Sequence, residues 1–437
     1  MATMFTVNAQ TVTVTGASGT AGPYTTLKDA FDAINGSSQS GNTISIKISG
    51  TTTETASAVL NAGAWTSLSI APIGGSASVL GSLAAPLIDL SGADNVILDG
   101  RIGGVGSSKD LIIGNSNTGG IAIRFIGDAT SNIVRYCTIS GSNNTATSGV
   151  VVFSTASSTG NDNNTITNCT LKDSTTTPVN IIYSLGSAGF ENSDNTISNN
   201  EIANFFNSGI ISSGVLLSSN STSWTIIGNS FYQVTPRVFT GGVAFNAISI
   251  LNTSGSGFVI SDNVIGGRSA DAGGFAWTQS GSSSIFVGIR LSVGTTVGAA
   301  SVQNNTIKNI SITTSSTSAL IGGIVLEAGS ANIGTVTGNV IGDMSATGNI
   351  TFTSSAVGGA FAGIIFGGGA ASQTVNVEKN QIGGIAVSGT GTPTLRGISC
   401  QGAAPEGRQM PVRSCRWGRW ESAPLSVLRP IRCRNEK

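Results

Sequence analysis

Eight short segments of this chain keep one order of residue types: "VRYCTISG", "ITNCTLKD", "ISNNEIAN", "IIGNSFYQ", "ISDNVIGG", "VQNNTIKN", "VTGNVIGD" and "VEKNQIGG". Each places Asn or Cys, any residue, then a large apolar residue. The anchors are Cys137, Cys169, Asn200, Asn229, Asn263, Asn305, Asn339 and Asn380. Their apolar partners are Ile139, Leu171, Ile202, Phe231, Ile265, Ile307, Ile341 and Ile382. Successive anchors lie 32, 31, 29, 34, 42, 34 and 41 residues apart, for example 169 − 137 = 32. Asn and Asp belong in turns, but a loop does not recur in this way. A fixed motif with elastic spacing marks a solenoid whose coils carry loops of different length.

Before each anchor runs a second recurrent segment, aliphatic and often led by Gly: "GIAIRFIG", "GVVVFSTA", "VNIIYSLG", "GVLLSSN", "NAISILN", "VGIRLSV", "GGIVLEA", "AGIIFGG" and "RGISCQG". Alternation of apolar and polar residues in many of them points one face of each strand to a shared interior. If the coils stack as parallel strands, every anchor Asn sits above the next at a tight bend. Its amide there satisfies turn backbone and its neighbours, forming an amide ladder. The expected ladder is Asn200, Asn229, Asn263, Asn305, Asn339 and Asn380. Cys137 and Cys169 read as small buried residues filling Asn slots rather than as a disulfide.

Only 10% of the 437 residues are charged and 60 are Gly, which favours many short strands between Gly, Ser, Asn and Thr turns. The abundance of Val, Ile and Thr argues against a disordered low-complexity chain. No apolar run is long enough for a membrane span. The chain has no His, which excludes imidazole bases, Ser-His-Asp triads and His metal ligands. The five Cys show no metal-ligand spacing, so neither metal nor cofactor is expected.

Residues 1–9 end in "TVNA", which reads as the remnant of a secretory signal. In "YTTLKDAFDAIN", Leu27, Ala30, Phe31 and Ile34 fall at i, i+3, i+4 and i+7, with Thr26 and Asp29 as a capping box. This short helix is the expected N-terminal cap, because a solenoid otherwise exposes an edge and an apolar interior. Residues 10–86 then hold the cap and first coils, and 87–402 the regular repeats. Residues 403–437 have neither anchor nor alternation. Residues 405–437 carry 8 Lys and Arg against 3 acids, hence +5, and the preceding 404 residues 13 against 18, hence −5. The abrupt change in mid-coil reads as a frameshift artefact; a functional basic tail that meets anionic surfaces is the alternative.

Chemistry is sparse. A glycosidase needs two carboxylates on one surface, and Asp94 with Asp99 or Asp128 with Asp162 are the conceivable pairs. Most acids nevertheless lie singly in turn contexts such as "SDN" and "LDG". "GGRSADAGG" only loosely echoes a calcium repeat. Two segments stretch their coils: "SFYQVTPRVFTGG" with Tyr232, Arg237 and Phe239, and "GGRSADAGGFAWTQSGSS" with Arg268, Asp271, Phe275 and Trp277. As loops of neighbouring coils they are expected to share one patch, where aromatic faces beside Arg and Asp suit sugar rings or a protein partner. The competing reading has Phe231 in the interior and the rest packing the loops onto the solenoid.

With "QTVTVTG…GPYTTLKDAFDAIN", "TTTETASAVLNAG", "LIDLSGADNVILDG" and the anchors, residues 10–402 resemble the large secreted bacterial β-strand-repeat proteins that use type IX secretion. That resemblance implies a pectin-lyase-like right-handed β-helix and supplies no catalytic residues. The expectation is an all-β, single-stranded, right-handed parallel β-helix of roughly eleven or twelve coils. Its expected role is that of a monomeric, extracellular or surface-bound, adhesin-like scaffold binding extracellular polysaccharide or surface glycan through loops, without catalysis and without nucleic acid. The first alternative is a polysaccharide lyase or glycoside hydrolase of the pectin-lyase-like fold. The second is a phage tail-fibre-type segment.

Overall fold

The structure is a computed structural model and describes residues 11–295, 298–367 and 373–401, together with the backbone of 431–432. Segments 1–10, 402–430 and 433–437, and with them Cys415, Cys433 and most of the basic tail, lie outside the described residues.

One coil shows the pattern. Ile133–Arg135 lies in a first wall, Cys137–Gly141 in a second and Val151–Phe153 in a third. Thr165–Thr167 then returns to the first wall in parallel register, with Val134 opposite Ile166. Among the described residues each wall holds eleven parallel strands, and two walls carry one further antiparallel strand at an end. The described residues form a parallel β-helix of eleven coils, about 50 Å long from the inter-strand spacing.

The bend between first and second walls explains the anchor motif. The residue before the anchor takes left-handed φ in most coils: Tyr136 52°, Asn168 55°, Asn199 54°, Asp262 58°, Asn304 53° and Lys379 55°. Asn and Asp adopt this conformation most readily among residues with a side chain. The anchor that follows points inward. From Asn200 to Asn380 each anchor donates through Nδ2 to Oδ1 of the next, at 2.8 to 3.0 Å. Each also donates to a main-chain carbonyl of the preceding coil, as Asn305 does to Ile260. These amides are buried, and the ladder is what allows polar groups to line a dry interior. Cys137 and Cys169 occupy the same column as free thiols. The Cys137 N–H reaches the Cys169 Sγ at 3.4 Å, and the Cys169 N–H donates to Asn200 Oδ1 at 2.8 Å.

Two further Asn columns escape the anchor motif. Asn132, Asn164 and Asn195 form a buried stack at the entrance to the first wall, linked at 2.9 and 3.1 Å, and Asn161 donates to Asn192 at 2.9 Å. Their trace in the sequence is the recurring "NTI" of Asn164–Ile166 and Asn195–Ile197.

At the N-terminal end, helix Leu27–Asn35 buries Leu27, Ala30, Phe31 and Ile34. Thr26 Oγ1 accepts from the Asp29 N–H at 3.1 Å, and the buried Glu54 carboxylate accepts from the N–H groups of Leu27 and Lys28. A negative charge there meets both the unpaired donors and the positive end of the helix dipole. Strand Val12–Thr15, ahead of the helix, pairs antiparallel with Thr43–Ile48 and closes the first wall. At the other end Ile431–Arg432 pairs antiparallel with Gln381–Gly383.

The expectation that residues 230–242 and 266–283 are coil-stretching loops is corrected. They contain strands Arg237–Phe239 and Trp277–Gly281, the first two of a fourth parallel sheet continued by Ile310–Thr314, Ile350–Ser354 and Ile385–Ser388. The longer anchor intervals from Asn229 onward accommodate this fourth wall. Where the chain leaves for it, Gly266 has φ 133° and a Cβ there would stand 1.7 Å from the Lys308 carbonyl oxygen. The wider interior is filled by rings: Trp277 meets Phe245, Phe205 and Phe286 edge-on with centroids 5.0, 5.7 and 5.8 Å away.

Candidate functional site

Strand alternation decides where the expected site residues go. On the fourth sheet residues 237, 239, 277 and 279 point inward. Trp277 is fully buried and Phe239 nearly so, which corrects their expected place on a surface patch: both are core rings. Arg237 is 8% exposed. Its Nε donates to Gln233 Oε1 at 2.6 Å, its Nη2 to Asn204 Oδ1 at 2.9 Å, and its guanidinium lies 5.3 Å from the centre of the Phe206 ring. Burial lowers its pKa and Asp173 opposes that effect, so Arg237 acts as a buried strut between loops.

Tyr232 is separate from these. It lies on the second wall, where its Oη donates to Glu201 Oε2 at 3.2 Å while Lys109 Nζ donates to Glu201 Oε1 at 2.9 Å. Burial, with Glu201 beside it, pushes the phenol up to about 12.

The other three residues do share a surface. Phe275 is 80% exposed, and the Arg268 guanidinium stands 5.8 Å from its ring centre. Arg268 is fixed by Nε to the Ala276 carbonyl at 3.0 Å and by Nη2 to Thr278 Oγ1 at 3.1 Å. Asp271 is exposed, with φ 58°, and its N–H donates to Ser230 Oγ at 2.7 Å, docking the loop on the second wall. The bare ring is therefore held on an ordered loop.

Thr278 links this loop to the outer face of the fourth sheet, which the sequence reading missed. In parallel register Thr278 stands opposite Ser311 and Ser311 opposite Thr351, while Thr313 stands opposite Thr353 and Thr353 opposite Ser388. Thr351 Oγ1 donates to Ser311 Oγ at 3.0 Å, and Thr353 and Ser388 share a hydrogen bond of 3.1 Å. At the C-terminal ends of these strands lies a trough of about 440 Å³, lined chiefly by Gly281, Ser282, Thr313, Ser315, Thr353 and Ser355. None of its lining residues is ionisable. The signal was the period-two pattern of "WTQS", "SITT" and "TFTS".

The conceivable catalytic carboxylates are all engaged. Burial works against ionisation of Asp99, but hydrogen bonds from Arg101, with Arg135 close by, outweigh it and hold the carboxyl below its usual range. Asp94 Oδ1 accepts from the N–H and Oγ1 of Thr130 at 2.6 and 2.8 Å. Asp128 Oδ1 accepts main-chain N–H groups of Ser158, Thr159 and Gly160 at 3.0, 2.8 and 3.1 Å; they overcome partial burial and hold its pKa at about 2. Asp162 is raised by burial and accepts from the Ser193 N–H at 2.7 Å. Each carboxylate organises a turn. Among the described residues no group of three or more Cys, Asp or Glu converges as a metal site, and no helix is long and apolar enough to cross a membrane.

The fold and this surface define a parallel β-helix with an exposed ring beside a hydroxyl-lined face. No protein-family model matches the chain, and no curated protein sequence matches it. Solved structures similar to it include two of PfbA, a surface adhesin of Streptococcus pneumoniae. One is 14% identical, covers 88% of each chain and has a TM-score of 0.40. The other is 15% identical, covers 89% of this chain and 98% of that one, and has a TM-score of 0.45. The catalytic domain of Agl-KA is 12% identical over 81% of this chain and 62% of that one, with a TM-score of 0.32. At these identities the likeness concerns the fold.

Proposed function

We propose that this protein is an extracellular or cell-surface scaffold whose β-helix presents one side for adhesion to glycans. The observation that carries the reading is Phe275, a ring 80% exposed yet braced by Arg268, beside a sheet face of Ser and Thr. An aromatic face in water stacks on the apolar face of a pyranose, and neighbouring hydroxyls hydrogen-bond its equatorial groups. The stacked coils hold these groups on a rigid frame, so little ordering cost is added on binding. On this surface Asp271 is a single exposed carboxylate, and the conceivable pairs of the earlier coils are tied into turns, which favours binding over cleavage.

A glycan microarray probed with the purified chain tests this, with reducing ends and ultraviolet absorbance of released sugar followed in parallel. Retention on glycan without product is the expected result. Product release would replace adhesion by the lyase or hydrolase reading, and no retention on any glycan would remove it.

A further inference from the structure

We infer that the fourth-sheet trough takes a single extended chain of neutral sugars, lying parallel to the solenoid axis. The inference rests on the glycan reading and names the ligand class for that surface.

Four successive coils each contribute one short segment to the trough: 281–282, 313–315, 353–355 and 389–390. The segments follow one another at the strand spacing, about 4.8 Å, which is close to the advance of one sugar in an extended polysaccharide. A ligand along the axis therefore meets a similar set of hydroxyls at each step, and a repeating polymer is the complement of a repeating wall. Its charge follows from the lining. Ser, Thr and Gly offer donors and acceptors but no cation, so a uronate carboxylate entering here would lose hydration without gaining a compensating positive charge. Hydroxyl groups lose little, because Ser and Thr both donate and accept. Thr313 and Ser315 are exposed; Ser315 Oγ accepts from the Ser283 N–H at 3.1 Å, which leaves its own proton to donate. At the other edge of the same sheet Thr278 holds Arg268, which braces Phe275, so stacking ring and trough belong to one continuous surface.

The test is affinity electrophoresis of the full chain through gels holding neutral β-glucan, xylan or mannan, or acidic polygalacturonate. Binding to neutral oligosaccharides of graded length is measured alongside by calorimetry. The double variant Thr313→Val, Thr353→Val removes two hydroxyls while keeping β-branched shape, and its melting temperature reports on folding. Expected are retardation by a neutral polymer, an affinity that rises with length to about four sugars and then levels off, and at least about tenfold weaker binding by the double variant. Preference for the acidic polymer would overturn the inference. So would unchanged binding by the double variant with loss in Phe275→Ala, which would leave the glycan reading standing. Failure of every polymer to retard the chain would remove both.

Discussion

Asn305 reaches one oxygen of Asn339 twice: its main-chain N–H and its side-chain Nδ2 both donate to Asn339 Oδ1, each at 2.9 Å. The same double donation links each neighbouring pair from Asn200 to Asn380, so one acceptor per coil satisfies two buried donors of the coil before it. Replacing Asn305 by Ala takes the acceptor from the Asn263 N–H, leaves Asn263 Nδ2 with only the Ile226 carbonyl, and removes the side-chain donor to the Ile260 and Gln303 carbonyls. The expected loss is about 3 kcal/mol or more, read from chemical denaturation. Asn380, whose column has no described Asn beyond it, is expected to cost less.

Trp277 gives a contrasting case. Its ring is fully buried, but its Nε1–H finds no acceptor. Trp277→Phe removes an unsatisfied donor as well as some packing, and a change in stability within about 1 kcal/mol is expected. Trp277→Ala empties the centre of the aromatic cluster and is expected to cost about 3–5 kcal/mol. Near-equal losses for the two variants would show that the indole N–H is satisfied.

The Cys column predicts a gain. Cys169 stands where later coils carry Asn, with its N–H already on Asn200 Oδ1 and Val134 O near its thiol. Cys169→Asn is expected to extend the amide ladder by one coil and to raise the melting temperature or leave it unchanged. A marked fall would show that this coil has a narrower slot.

Asp128 sets an acid limit. Its folded pKa, about 2, lies below the ordinary value of 3.8. Its contribution is therefore complete above the unfolded value and is lost as pH falls from about 4 towards 2. Asp128→Asn keeps an oxygen acceptor for the Ser158, Thr159 and Gly160 N–H groups but does not titrate. Melting temperature against pH is expected to be flatter below pH 4 in this variant than in the parent.

Much of the solenoid was legible because its determinants are local and repeat. An αL residue, an inward Asn or Cys and an inward apolar residue recur at most of these bends, and the Leu27 helix shows its period and cap within ten residues, 26–35. The fourth wall was not legible at its start. Arg237–Phe239 is three residues long and follows Pro236, and Trp277–Gly281 emerges from a Gly-rich loop. The alternation of "WTQS" is too short to mark a strand by itself, and the loop before it has none, so the sequence does not show that Trp277 points in while Phe275 points out. Reading composition alone gathered Tyr232, Phe239 and Trp277 with Phe275, whereas the structure separates a Glu201-bound phenol, two core rings and one bare ring. The Ser and Thr rows were passed over because hydroxyls at turns and hydroxyls on a sheet face have the same composition.

The most direct test of the account is a side-by-side affinity electrophoresis of the parent chain and Phe275→Ala in neutral polysaccharide, with melting temperatures recorded for both. Phe275 is exposed and makes no core contact, so the account predicts equal melting temperatures, clear retardation of the parent and mobility of the variant close to that in a blank gel. Equal retardation of both proteins, or none of either, would contradict it.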